Sequence, residues 1–171
     1  MSRVFVGVGS NISPEANIPK ALRLLAAQAL VVGVSRFFLT EPLGTEGPAF
    51  YNGVVEVDTR LSPRALKYRV LREIENSLGR VRGPDKYAPR PIDLDVIVYG
   101  DSIIDEPDLK IPDPDIAQRP FLAVPLYDLA PDMLLPGTDC ALADIIAALG
   151  DGKMTVLADF TKSLREELLD E

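Results

Sequence analysis

The chain has 171 residues, with 18 Lys plus Arg against 26 Asp plus Glu, a formal charge of −8 and a sequence pI of about 4.6. It contains no histidine, which excludes Ser-His-Asp and Cys-His mechanisms and any His-ligated zinc or haem, because no imidazole is present as base or ligand. The acidic balance argues against sequence-independent nucleic-acid binding, which needs a basic surface to displace counterions, but not against a phosphate ligand.

Val4-Phe-Val-Gly-Val reads as a strand that stops at Gly9-Ser-Asn, with Gly7, Gly9, Ser10 and Asn11 forming a strand-end turn. A helix follows, with Ser13 as N-cap, Pro14 at the first position and Ile18, Ala21, Leu22, Leu25 and Ala26 on its apolar side. Val31 to Leu39 reads as a second strand, and Tyr51 to Val57 as a third after a Gly- and Pro-rich loop. Ser62 and Pro63 open a second helix with the stripe Leu66, Val70, Leu71, Ile74 and Leu78, and Gly79 closes it. Ile92 to Tyr99 is a fourth strand. The order β-α-β-β-α-β predicts an α+β, ferredoxin-like core with a mostly antiparallel sheet and helices packed on it. Beyond Gly100 the chain becomes a Pro-rich C-terminal extension in which loops and short elements are expected, since seven of the fifteen prolines lie between Pro107 and Pro136. Helices are expected over Leu142 to Leu149 and Asp159 to Leu169, with 158–171 an acidic, partly mobile tail.

One domain over 1–171 is the default for this length. Cys140 permits no internal disulfide, and the N-terminus shows no basic segment followed by a long apolar run. No stretch reaches the ~18 apolar residues of a membrane span. The expectation is a cytoplasmic protein with no membrane and no nucleic-acid partner.

The strongest chemical signal is Asp93-Leu94-Asp95 inside an apolar strand. Residues i and i+2 of a strand share a face with Cα atoms roughly 6.6 Å apart, so two carboxylates stand together while Ile92, Leu94, Val96 and Val98 take the other face. Adjacent like charges need compensation. Mg²⁺, which uses one or two carboxylates and completes its shell with water and phosphate, is one source of it, and salt bridges to neighbouring cations are the other. Arg80 to Arg90 carries four basic residues and one acid, and the guanidinium fork suits phosphate oxygens. An arginine loop beside paired carboxylates fits transfer from a Mg²⁺-bound nucleotide, and equally a set of internal salt bridges. Two nucleotide motifs are excluded: Ile12 stands where the dinucleotide fingerprint needs its third glycine, and Gly152-Lys153 has Ala147 at the first Walker position and Met154 after the lysine.

Gly79-Arg-Val-Arg followed by Ala88-Pro-Arg-Pro-Ile-Asp-Leu-Asp-Val closely resembles the signature of the 6-hydroxymethyl-7,8-dihydropterin pyrophosphokinase family. Gly7-Val-Gly-Ser-Asn, Thr40-Glu-Pro-Leu-Gly, Phe50-Tyr-Asn52, Ile111-Pro and Arg119-Pro-Phe121-Leu follow in the family's order. The resemblance implies transfer of pyrophosphate from ATP to 6-hydroxymethyl-7,8-dihydropterin, with AMP released, as a step of folate biosynthesis. It implies that Asp93 and Asp95 hold two Mg²⁺ ions on the ATP phosphates and that Arg80 and Arg90 assist the transfer. It places Glu75, Arg82, Tyr87, Lys110 and Arg119 toward ATP, and Thr40, Leu43, Phe50, Asn52 and Phe121 around the pterin. Two aromatics and an amide suit a flat, polar-edged ring, although Phe50 and Phe121 read by themselves as core residues. A monomer or weak homodimer is expected.

The chain departs from the family at Asp113, where many members have histidine near the nucleotide, at Tyr87 in place of a common tryptophan, and at Asp108 in place of a basic residue with Lys110 close by. The acid at 113 leaves a second reading open, a catalytically weak relative that binds pterin or nucleotide.

Overall fold

The computed structural model describes residues 2–42, 46–85, 88–150 and 152–169. The apolar N-terminal run forms β1 (Ser2–Ser10), with Val4, Val6 and Val8 on one face and Phe5 on the other. α1 (Pro14–Ala26) follows, then β2 (Leu30–Val34), β3 (Phe38–Thr40) and β4 (Phe50–Thr59). Ser13 precedes α1 in the left-handed region, with φ 41°, and makes no side-chain cap. Its carbonyl instead accepts from the N–H groups of Ala16 and Asn17 at 3.0 and 2.9 Å.

The strand expected from Val31 to Leu39 is broken in two. Between β2 and β3, Ser35 Oγ accepts from the Val54 N–H at 2.8 Å while the Ser35 N–H donates to Val54 O at 2.9 Å, so a side chain replaces one rung of the ladder. The detour drives Phe37, fully buried, over Gly53 of β4. A Cβ on Gly53 would lie 2.5 Å from the Phe37 ring. Gly53→Ala is therefore expected to cost about 1–3 kcal/mol through overpacking, read by denaturant unfolding.

Pro63–Ala65, a π-helical turn over Leu66–Leu71 and Arg72–Ser77 run on as one helix, α2. Ser62 Oγ caps it by accepting from the Ala65 N–H at 3.1 Å. Gly79, with φ 87°, ends it: its N–H reaches Asn76 O, and the Arg80 N–H reaches Glu75 O, both at 3.1 Å. β5 (Asp93–Tyr99) returns along β1. The remainder comprises the hairpin β6 (Ile104–Glu106) and β7 (Leu109–Ile111), a 3₁₀ turn (Pro114–Ala117), α3 (Pro120–Leu129), α4 (Leu142–Leu149), β8 (Thr155–Val156) and α5 (Ala158–Leu169).

The sheet runs β5-β1-β4-β3-β8, with β2 also on β4, and every pairing is antiparallel. β4 stands between β1 and β2, and β1 between β4 and β5, so each α-helical crossover spans an intervening strand. α1, α2 and α5 cover one face through Ile18, Leu22, Leu66, Val70, Leu71 and Leu164, whereas α3 and α4 cover the other through Ala123, Leu126 and Leu142. A bulge shifts the register of β5 so that Val6 faces Val96 but Phe5 faces Val98. Val98 consequently joins Phe5 and Ile97 in the second cluster rather than Ile92, Leu94 and Val96 in the first, because one extra residue inverts the alternation.

The acidic C-terminal stretch is docked over 158–169 rather than solvated along its length. Leu164 and Thr161 are buried, and Phe160 meets Phe37 and Tyr51 edge-on at 5.6 and 5.1 Å. Among the described residues no helix is long and apolar enough to cross a membrane.

Candidate active site

The site forms where β1, β4 and β5 share one strand end. In register, Gly9 lies between Asn52 of β4 and Asp93 of β5, and Gly7 faces Asp95. Two glycines in β1 thus hollow the floor between an amide and two carboxylates. A Cβ on Gly9 would come within 2.7 Å of Asn52 Oδ1, and one on Gly7 within 3.2 Å of Leu122 and 3.3 Å of Ile97. A cavity of about 210 Å³ opens above this floor.

Thr40, Phe50, Asn52, Arg90, Asp93, Asp95 and Phe121, all expected at the site, line this one cavity. Asn52 Nδ2 donates to Thr40 Oγ1 at 2.6 Å, which fixes the amide and turns its oxygen toward Gly9. Phe50 and Phe121 are partly exposed to the cavity rather than core residues. Leu43 and Tyr87 lie outside the described residues.

The arginine loop wraps the outer edge of β5. Arg80 Nη1 donates to Glu75 Oε2 at 2.6 Å, to Asp93 Oδ1 at 2.8 Å and to Ile92 O at 3.3 Å. Arg82 also pairs with Glu75, and Arg90 Nη1 reaches Asp93 Oδ2 at 3.4 Å. Asn11, buried just beyond β1, pins the Arg90 backbone: its Oδ1 accepts from the Arg90 N–H at 2.7 Å and its own N–H donates to Arg90 O at 3.2 Å.

Two residues expected toward the nucleotide do not line this cavity. Glu75 does not line the cavity; it is 2% exposed, and both oxygens are taken by Arg80, Arg82 and the Leu94 N–H, the last at 2.8 Å. Its place is behind the arginines, as their anchor. Lys110 on β7 is exposed, pairs with Asp105 at 2.6 Å and does not line the cavity. Arg119 stands at the start of α3, two residues before Phe121, with its Nε buried and lacking a hydrogen-bond partner among the described residues.

Asp95 has no cation at ion-pairing distance among the described residues, and it opens into the cavity. Although its side chain is exposed to solvent, the protein packed around it first, then the charges of Asp93, Glu75 and Asp113, push its carboxyl above the usual range, with Arg80 opposing. Asp113 lines the same cavity and caps the 3₁₀ turn, its Oδ1 accepting from the Asp115 N–H at 2.9 Å. Burial raises its carboxyl, the Asp115 N–H works against the rise, and Asp115 and Asp93 add to it. The cavity-lining residues that sequence reading did not assign to the site are Gly7, Val8, Gly9, Glu41, Pro42, Asp113, Asp115 and Leu122. The period-two match between Gly7-Val-Gly9 and Asp93-Leu-Asp95 was the available signal for the glycines.

Fold and site together define an α+β sandwich with a carboxylate-and-arginine cleft at one end of its sheet. Residues 5–131 match the family described as 7,8-dihydro-6-hydroxymethylpterin-pyrophosphokinase, HPPK, and the chain belongs to that family. A Pseudomonas aeruginosa protein named 2-amino-4-hydroxy-6-hydroxymethyldihydropteridine pyrophosphokinase is 39% identical over 140 residues, covering 80% of this chain and 85% of its own. A Haemophilus influenzae protein of the same name is 34% identical over 161 residues, covering 92% of this chain and 99% of its own. The wild-type HPPK-DHPS crystal structure from Plasmodium falciparum shares the fold, with a TM-score of 0.69 at 14% identity over 86% of this chain and 44% of that one.

Proposed function

We propose that the protein is a pyrophosphokinase of folate biosynthesis, transferring the β,γ-pyrophosphoryl group of ATP to the hydroxymethyl oxygen of 6-hydroxymethyl-7,8-dihydropterin. The observation that carries this reading is the register at Gly9, which sets a pterin-sized cavity with its amide directly beside two carboxylates. The substrate oxygen forms a bond to the β-phosphorus, the bond from that phosphorus to the α–β bridging oxygen breaks, AMP leaves, and the hydroxyl proton passes to solvent. No imidazole is required, because positioning and charge neutralisation supply most of such a catalysis.

Asn52 and Thr40 read the ring edge, and Phe50 and Phe121 flank its faces. Arg80 and Arg90, held beside Asp93, serve the transferring phosphates, with Arg82 and Arg119 toward the nucleotide. The donor set fits Mg²⁺. Asp93 and Asp95 are hard oxygen ligands on one face of β5 and would hold the ion between them and the phosphates. Bound there, Mg²⁺ would neutralise phosphate oxygens.

Protein mixed with MgATP and the hydroxymethyl-dihydropterin is expected to yield AMP and the pterin diphosphate, separated chromatographically. Production of ADP alone, or of nothing, from folded protein would refute the reading. Gly9→Ala gives a sharper test of the pterin half. The new Cβ pushes Asn52 Oδ1 aside, a movable side-chain end, so the KM for pterin is expected to rise about tenfold while the KM for ATP holds.

A further inference from the structure

Most cations around β5 already meet a carboxylate. Arg80 meets Glu75 and Asp93, Arg82 meets Glu75, Arg90 meets Asp93, Arg64 meets Glu106 and Asp108, and Lys110 meets Asp105. Lys67 and Arg72 of α2 differ. Among the described residues neither has an acidic partner at ion-pairing distance; Lys67 Nζ donates instead to the main-chain carbonyl of Asp108. The two cations attend the same ring, with Lys67 Nζ 5.1 Å and the Arg72 guanidinium 5.2 Å from the Tyr68 centroid. The Tyr68 hydroxyl is in turn fixed on Asp108, whose carboxylate Arg64 also holds.

The π turn explains the pairing. In an α-helix, residues five apart diverge by about 140° around the axis. Here the Arg72 N–H donates to Lys67 O, the i→i+5 bond of a π turn, which draws the two side chains toward one face. Both are half-buried, and burial first, then the Arg72 charge, lowers the Lys67 pKa, while Asp108 and Asp95 act against this and Arg82 adds to it. Like charges crowded on a ledge, with no carboxylate at ion-pairing distance among the described residues, are costly unless an anion joins them. The ledge borders β5, the edge strand, whose outward Leu94 N–H goes to Glu75 of the same helix.

We infer that Lys67 and Arg72 bind the phosphate tail of the donor nucleoside triphosphate beside the outer edge of β5. This rests on the pyrophosphokinase reading and adds two residues to its nucleotide side. Lys67→Met and Arg72→Met, made separately in the full chain, are expected to weaken binding of a non-hydrolysable ATP analogue with Mg²⁺ by about tenfold each in calorimetry. The KM for ATP rises in step, kcat changes little, and the KM for pterin stays within about twofold. Lys67→Arg, which keeps the charge, restores nucleotide affinity. Thermal melts verify folding, and Lys67→Gln serves if the Met variant unfolds. AMP formation by the unaltered protein is measured alongside. Its absence overturns the pyrophosphokinase reading, whereas its presence with unchanged analogue affinity in both charge-removing variants overturns the Lys67–Arg72 assignment alone.

Discussion

Asp95→Asn is expected to lower kcat for AMP formation by about a thousandfold while leaving the melting temperature equal to or above that of the unaltered protein. The two halves of this expectation have one cause. Asp95 is an exposed carboxylate with no cation at ion-pairing distance among the described residues, set near Asp93, Glu75 and Asp113, so neutralising it relieves like-charge repulsion and costs the fold nothing. Asn keeps the shape and removes the repulsion, so the fold loses nothing. What is lost is the open ligand that a phosphate-bound cation needs. Asp93→Asn provides the contrast, because Asp93 holds Arg80 at 2.8 Å and Arg90 at 3.4 Å. Its loss should lower both stability and activity. A steady-state assay and a thermal melt on each variant decide the matter, and retention of activity by Asp95→Asn would remove Asp95 from the catalytic set. Gain of stability with loss of function is the behaviour of a strained active-site group.

The carboxylate pair was legible because strand periodicity is rigid: two aspartates two residues apart in an apolar run have one geometry. Helix ends were legible where side-chain chemistry marks them, as at Ser62 and Gly79, and α4 follows its apolar pattern from Leu142 to Leu149. What escaped depends on partners distant in sequence. Ser35 replaces a ladder rung because Val54 lies opposite, and Val98 changes face because of a bulge against β1. Neither position carries a local mark. The docking of α5 was written in Phe160, Leu164 and Leu168, a helical spacing that the surrounding acids obscured. The π turn in α2 was likewise hidden, since the stripe Leu66, Val70, Leu71, Ile74 reads as ordinary helix.

The hydrogen bonds of Glu75 were not legible in the sequence. The residue lies four residues after Leu71 and three before Leu78, inside the buried stripe, where a carboxylate survives only if its oxygens are satisfied. Three donors converge on it: Arg80, Arg82 and the Leu94 N–H. Burial raises its carboxyl, with the Leu94 N–H, Arg80 and Arg82 working against the rise. Arg80 is raised in its turn, since Asp93 and Glu75 outweigh its own burial. The geometry of three donors favours an ionised pair, so Glu75→Gln should leave the 9% exposed Arg80 under-compensated and destabilise the fold by about 3 kcal/mol. Activity should fall through kcat more than through either KM, because Arg80 is no longer held against Asp93 for the transfer. The double variant Glu75→Gln, Arg80→Met separates anchor from actor. Removing the stranded charge should recover part of the lost stability, a non-additivity that denaturant unfolding reads directly, without recovering AMP formation. If the two substitutions are simply additive in stability, Glu75 does not act through Arg80, and its burial beside β5 serves the packing of α2 alone.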